Sequence, residues 1–492
     1  MSFGPPASLY TQSRREAADK DRRRRALCLI TVGGLCLTLL AACLGGWLWL
    51  SSPAASDPVG LHGDLRPRQL PGDVREEVAT RPRNQGGTEL LSLLEGPLKK
   101  NEMVDYPGLW LTDTRLVEAR GTVLEGWKLT RKRGPAKEKG LYKLDFGASI
   151  CSATQHLTVD GRTAVLVMTR DRNGDPVCGR IIGVDLNKGK KLWDEKLPGA
   201  LSAGGGRYGN PSSVTISQDT AVAAWGIGSA SYDLRSGKRL WADTQPSECT
   251  DQGFAGGRRM LAVVGCGEID RMKLKVEEID PRTGKPKWTY APGEGLKQVH
   301  VVSTAPVVLS VLKEAGEYES LLIHLDDAGK VRSTMPGDQE WNAITCGKQV
   351  PDYFAVDQCS SVVVSETHLF IASKKRIELG DAPSNEVIAY DLATGKSGKK
   401  FDGRDLAPIQ VVQANGSKAL AYQTGMVSEP GVLFELDPVT GKKTPFYYIQ
   451  TEDWDFFEPD GTHLVYHRGR LAIGATQTDD EDDPSVWVIE PQ

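Results

Sequence analysis

The 492-residue sequence predicts an all-β ring of repeated four-stranded units preceded by one membrane-spanning helix. Three observations predict it. One short element, an apolar run ending in Asp followed by a Gly-Lys turn, recurs at a nearly fixed period. Gly (53) and Pro (28) run above average usage, which suits strands and turns better than helices. One uncharged run, residues 26–50, is long enough to span a bilayer.

The repeat reads GVDLNKGKKLW at 183–193, SYDLRSGKRLW at 231–241 and EIDPRTGKPKW at 278–288. Weaker copies are HLDDAGKV at 324–331, AYDLATGK at 389–396 and ELDPVTGK at 435–442. The Asp residues stand at 185, 233, 280, 326, 391 and 437, so the spacings are 48, 47, 46, 65 and 46. A fixed period of this size decides the architecture before any local reading does. Each copy is a strand, a tight turn and a second strand. Asp185, Asp233, Asp280, Asp391 and Asp437 cap the turn through side-chain hydrogen bonds, and Gly189, Gly237, Gly284, Gly395 and Gly441 supply the positive φ. Trp193, Trp241 and Trp288, four residues after the Gly, are expected to pack on the neighbouring unit. Two more strands precede each hairpin, as in SVTISQD at 213–219 and TAVAAWG at 220–226. Four antiparallel strands per repeat make a propeller blade.

GTVLEGWKL at 121–129 with LYKLDFG at 141–147 reads as a degenerate first hairpin. SVWVIEPQ at 485–492 aligns with VLFELDP at 432–438, placing Glu490 at the Asp position. That gives eight positions. The 106–492 region allots about 48 residues per blade for eight and about 55 for seven, so eight is preferred and seven is the alternative. The last copy stops before its outer strand, so an N-terminal segment is expected to complete that blade and close the ring, because an open ring exposes strand edges.

The D-x-x-x-G-K-x-x-W element in a β-rich exported chain resembles the pyrroloquinoline-quinone-type (quinoprotein-like) propeller repeat. That family includes quinoprotein alcohol dehydrogenases and the non-enzymatic propeller lipoprotein of outer-membrane protein assembly. The resemblance implies a propeller over about 105–492, with the motif residues tying blades together rather than binding quinone. The dehydrogenases typically show a vicinal Cys-Cys pair and some a C-x-x-C-H haem attachment; this sequence has neither.

The run Ala26 to Leu50 would span about 37 Å as a helix, against a ~30 Å hydrocarbon core. Trp47 and Trp49 suit an interface, and Arg22–Arg25 precede the run. The first 25 residues carry a net charge of +4 and the chain beyond residue 50 a net of −8. Positive residues stay inside, so residues 1–25 are read as a cytoplasmic tail, 26–50 as a single-pass anchor, 51–105 as an extracytoplasmic linker or stalk and 106–492 as the propeller. TELLSLLEG at 88–96 reads as a short amphipathic helix within the stalk. The alternatives are a lipoprotein, since Leu40-Ala41-Ala42-Cys43 resembles a lipidation box with Cys43 as acceptor, and a cleaved signal peptide.

Cys151, Cys178, Cys249, Cys266, Cys346 and Cys359 lie beyond the apolar run, and an even number in an oxidising compartment points to disulfides. The sequential pairing is the most economical. Cys151–Cys178 and Cys249–Cys266 would each staple one edge of a blade, with Cys151 and Cys249 beginning first strands and Cys178 and Cys266 following second strands. Cys346–Cys359 would staple the insertion in the 65-residue interval. The alternative is unpaired buried thiols.

A body of net negative charge is a poor nucleic-acid binder. GGGRYG at 204–209 is followed by Pro211 and a β-rich run, so it is a loop and not a dinucleotide site. Asp171, Asn173 and Asp175 imitate a calcium loop, but its closing position falls on Ile182, so a surface turn is expected. The acidic run 479–483 reads as a solvated loop. His463 and His467 would lie about 13 Å apart on a strand, too far for one metal. No nucleophile stands with a base in any known motif. The expectation is therefore a membrane-anchored, non-catalytic binding or scaffold module for an envelope protein or a glycan, needing no cofactor. The alternative is a divergent oxidoreductase using pyrroloquinoline quinone with calcium. A kinase-like sensor is excluded, since a 25-residue tail cannot fold a cytoplasmic domain.

Overall fold

The computed structural model describes residues 69–94, 103–129, 140–200, 212–225, 228–244, 247–268, 271–293, 296–315, 317–337, 344, 346, 348–350, 353–373, 384–426, 429–450, 462–478 and 484–492. Among these no helix is long and apolar enough to cross a membrane. The expected anchor at 26–50, Cys43, the GGGRYG loop and the acidic run 479–483 lie outside them.

The chain from 67 onward is one compact unit built of eight four-stranded antiparallel sheets. Their innermost strands are Gly108–Leu111, Ile150–Ala153, Ser213–Ser217, Cys249–Ala255, Leu296–Thr304, Val362–Val364, Ile409–Asn415 and Thr462–His467, in blades one to eight. The inner and second strands of blade three, Ser213–Ser217 and Thr220–Ala224, are buried at every position. Outer strands such as Arg239–Asp243 are polar and largely exposed. The core is therefore a series of seams between successive blades. At the seam of blades two and three, Ala164, Leu166 and Ile181 meet Val214, Ile216 and Ala221.

The repeat residues do two jobs at these seams. Each Asp carboxylate accepts backbone N–H bonds inside its own turn: Lys188 N to Asp185 at 2.9 Å, Ser236 N to Asp233 at 3.0 Å, Thr283 N to Asp280 at 2.9 Å and Thr394 N to Asp391 at 2.8 Å. The Thr440 N–H holds Asp437 below the usual carboxylate range in the same way. The carbonyl one residue after the Asp then receives the preceding blade. Trp193 Nε1 donates to Leu234 O at 2.9 Å, and Trp241 Nε1 to Pro281 O at 2.9 Å. Gly237 serves twice: its φ is +74°, and a Cβ there would lie 2.6 Å from the Trp193 ring. Blade one uses Tyr142 where later blades use Trp, with its hydroxyl on Leu186 O at 2.9 Å. Trp288 also packs on the next blade, where a Cβ on Gly329 would lie 2.6 Å from its ring, but its Nε1 donates to Glu278 of its own blade at 2.9 Å. Trp193 is buried, whereas Trp241 and Trp288 are only half-buried.

Two corrections concern the segment read as a stalk. Residues 88–94 of the segment read as a helix are strand. Gly86–Leu94 is the outer strand of blade eight, pairing antiparallel with Pro484–Pro491 in the register Thr88↔Glu490 and Ser92↔Trp487. The Leu90, Leu91, Leu93, Leu94 spacing looks helical, but a register shift between Glu89 and Leu91 realigns it, so Leu91 and Leu93 are buried. The same strand touches blade seven in parallel (Gly87↔Ile449), and only Gly fits at 87, where a Cβ would meet Tyr448 O at 2.7 Å. The propeller therefore begins well before residue 106.

Residues 69–85 are also not a free linker. They form a strap across the face carrying the first-to-second-strand turns. Asp219 N bonds Gly72 O in blade three at 2.8 Å, and Val74 bridges Thr158 in blade two. Arg258 Nε of blade four donates to Glu76 Oε1 at 3.1 Å. Arg468 N of blade eight donates to Glu77 Oε1 at 2.9 Å, and Ala79 N to Asn415 Oδ1 of blade seven at 2.7 Å.

The three disulfides pair Cys151 with Cys178, Cys249 with Cys266 and Cys346 with Cys359. Cys249 and Cys266 face each other across the first two strands of blade four. Cys178 stands on the third strand of its blade, opposite Met168, rather than after the second strand.

Candidate functional site

The insertion between blades five and six enters the central channel. Val301 N donates to Val356 O at 2.6 Å, and Gln358 Nε2 to Ala153 O of blade two at 2.9 Å. Val356 joins the cluster of Ala255, Val299 and Val301, and a Cβ on Gly253 would lie 2.7 Å from it. Residues 356–358 of the insertion thus pack against the side of the channel bounded by blades two to five.

A cavity of about 640 Å³ remains on the other side. It reaches from Arg75 and Glu77 of the strap to Gly108, Gln410 and Thr462 at the starts of inner strands. Five amides line it: Gln155, Gln358, Gln410, Gln413 and Gln477. Ser360, Ser361, Thr462 and Thr476 add hydroxyls, and Tyr466 with several Val and Leu side chains completes the wall. Gln358 and Ser361 both have positive φ, at +63° and +61°, which is uncommon for residues other than Gly. Cys359 between them carries the disulfide to Cys346.

The charged groups at the cavity are few. Burial pushes the Arg75 guanidinium down, against the pull of Glu77 and Asp113. Burial raises the Asp105 carboxyl, against a hydrogen bond from Gln477 Nε2 at 3.0 Å. Burial lowers the His463 imidazole, whose Nε2 sits 2.8 Å from Tyr106 O. His467 is separate from His463: its Nδ1 lies 2.6 Å from Glu77 Oε2 of the strap and its Nε2 2.7 Å from Asp113 Oδ1 of blade one. Both contacts are hydrogen bonds only when both ring nitrogens carry protons. On the filled side, burial drives Asp357 up to about 7, although the Thr215 hydroxyl and the Gly256 N–H favour its charge. Burial holds His156 down to about 4.

Asp171, Asn173 and Asp175 form the turn between the second and third strands of blade two, with Asp171 Oδ1 accepting from both of the others' N–H groups. Among the described residues no three His, Cys, Asp or Glu side chains stand together as a metal site. The lining does not suit pyrroloquinoline quinone. A tricarboxylate wants several cations, and Arg75 is the one Lys or Arg among the described lining residues, already facing Glu77. Among the described lining residues no Trp offers a stacking face. Sequence reading singled out His463 and Cys359 for other reasons and missed the rest of the cavity lining, which comes from five blades, the strap and the insertion and shares no motif.

Residues 179–401 match the family model described as outer membrane protein assembly factor BamB. That stretch resembles a quinoprotein-like propeller repeat region. The repeat region runs from the third strand of blade two to the outer strand of blade six. Solved structures similar to the chain include BamB from Moraxella catarrhalis, at 14% identity and TM-score 0.42 over 80% of this chain and 99% of that one. The quinohemoprotein alcohol dehydrogenase of Comamonas testosteroni is 12% identical, with a TM-score of 0.44 over 85% of this chain and 76% of its own. ADHIIG of Pseudomonas putida HK5 is 10% identical, with a TM-score of 0.47 over 83% and 77%. No curated protein sequence matches the chain.

Proposed function

We propose that this chain is a membrane-anchored extracytoplasmic propeller that acts as a non-catalytic scaffold for another envelope protein. The observation that carries the reading is the match of its repeat region to a model described as an assembly factor. The cavity supports it, since amides and hydroxyls dominate where a quinone enzyme would need cations and a stacking surface. The build supports it too. Strap, insertion, three disulfides and the paired N-terminal strand make a rigid frame that can present loops without rearranging. Anchorage rests on the apolar run 26–50 and the arginines before it.

The test is to cross-link the full chain in its native membranes and identify what it holds. A single stoichiometric envelope protein is expected. Protease added to spheroplasts should remove a C-terminal tag; a protected tag would invert the orientation. In parallel, the purified chain is titrated with pyrroloquinoline quinone and calcium. Saturable one-to-one binding of the quinone would overturn the scaffold reading in favour of a divergent oxidoreductase.

A further inference from the structure

We infer that the central cavity is a binding site for an uncharged polyhydroxylated ligand, a mono- or disaccharide. The inference goes beyond the scaffold reading and stands whether or not a protein partner is found. Its volume, about 640 Å³, falls within the ~300–1,000 Å³ typical of small-molecule sites. One end is crossed by the strap at Arg75 and Glu77, which favours a compact ligand over a chain running through the ring.

The chemistry of the wall selects the class. Each Gln amide offers donors and an acceptor, and each Ser or Thr hydroxyl can do either. Sugar hydroxyls have the same dual character. The Val and Leu side chains and Tyr466 in the same wall can meet the C–H faces of a pyranose. Full charges are disfavoured: Arg75 is compensated by Glu77, and Asp105 opposes an anion.

Two further observations indicate that the wall is built for occupancy. Ser361 Oγ and Gln413 Nε2 are buried without a hydrogen-bond partner. Such orphans are costly, and a side-chain rotation into the cavity would let a ligand hydroxyl satisfy each. Gln358 and Ser361 also hold left-handed backbone conformations beside the Cys359 disulfide. Non-glycine residues persist in that region where surrounding structure enforces it, and they cluster at ligand clamps. Gln413 reaches the cavity because a register shift between Val411 and Gln413 re-aims the inner strand of blade seven.

The test uses the full chain in a detergent without a sugar headgroup. Calorimetry and saturation-transfer NMR are run with glucose, maltose, N-acetylglucosamine and N,N′-diacetylchitobiose, against glucuronate and glucosamine as charged counterparts. Saturable binding of at least one neutral sugar is expected. Ser361→Ala and Gln413→Met should each weaken it about fivefold, the worth of one hydrogen bond. Their thermal midpoints should stay level or rise, because each removes an unpaired buried polar group; a purely structural role would lower them. No saturable binding by any neutral sugar, tighter binding of a charged counterpart, or undiminished binding in the double variant overturns the inference.

Discussion

Replacing Asp357 by Asn should flatten part of the pH dependence of stability. Asp357 is enclosed where the insertion meets blades three and four, and burial lifts its carboxyl from 3.8 to about 7. The folded chain therefore holds a proton that the unfolded chain has lost between about pH 4 and pH 7. Stability from this group is fully present below pH 4, falls across that window and is level above it. Each pH unit contributes about 1.4 kcal/mol, so the window amounts to roughly 4 kcal/mol. That is a large share of a typical ~5–15 kcal/mol total. Asn keeps an acceptor for the Gly256 N–H, and it has no charge to bury. Urea unfolding followed by tryptophan fluorescence, without reductant, should show the variant gaining on the wild type as pH rises from 4 to 8. Other titrating groups cancel in that difference, because they are common to both chains. Parallel curves would refute the reasoning and place Asp357 in contact with water.

Trp193→Ala should cost about 3–5 kcal/mol, since the ring is buried, stacks on Tyr232 at 5.8 Å and bonds Leu234 O. Trp241→Ala should cost distinctly less, because its ring is half-exposed; equal losses in chemical denaturation would contradict the seam geometry. Removing the Cys346–Cys359 bond by double Ser substitution should cost about 2–4 kcal/mol, read as a lower urea midpoint. Peptide mapping without reduction should return the three sequential pairs, and a Cys178–Cys249 fragment would sink the scheme. His467→Gln removes the imidazole that contacts both Glu77 and Asp113, so limited proteolysis within 69–85 should accelerate; an unchanged cleavage rate would mean the strap is held elsewhere.

The ring was legible because its signal is local. Asp233, Gly237 and Trp241 fall within nine residues and set one turn and one docking contact, so periodicity exposes them. The disulfides were legible for the same reason, each closing a loop within one blade or one insertion. What escaped depends on distant partners. Leu90 to Leu94 look helical until Pro484–Pro491 supplies a strand to pair with. Glu77 looks like one more linker charge until His467 and Arg468 arrive from blade eight. The 65-residue interval announces an insertion, but nothing local says that Val356 and Asp357 turn inward. The cavity glutamines gain meaning only from the ring that gathers them.

The pairing of Gly86–Leu94 with Pro484–Pro491 has a kinetic side. The strand made first is used last, waiting about 400 residues for its partner. At ~5–20 residues per second of synthesis, that wait is roughly 20–80 s. Throughout it, a leucine-rich strand is without its intended neighbours and open to pairing with other chains. Pro484–Pro491 thus acts as a completion signal: a chain broken before Pro484 can fold its earlier blades and still never seal the eighth.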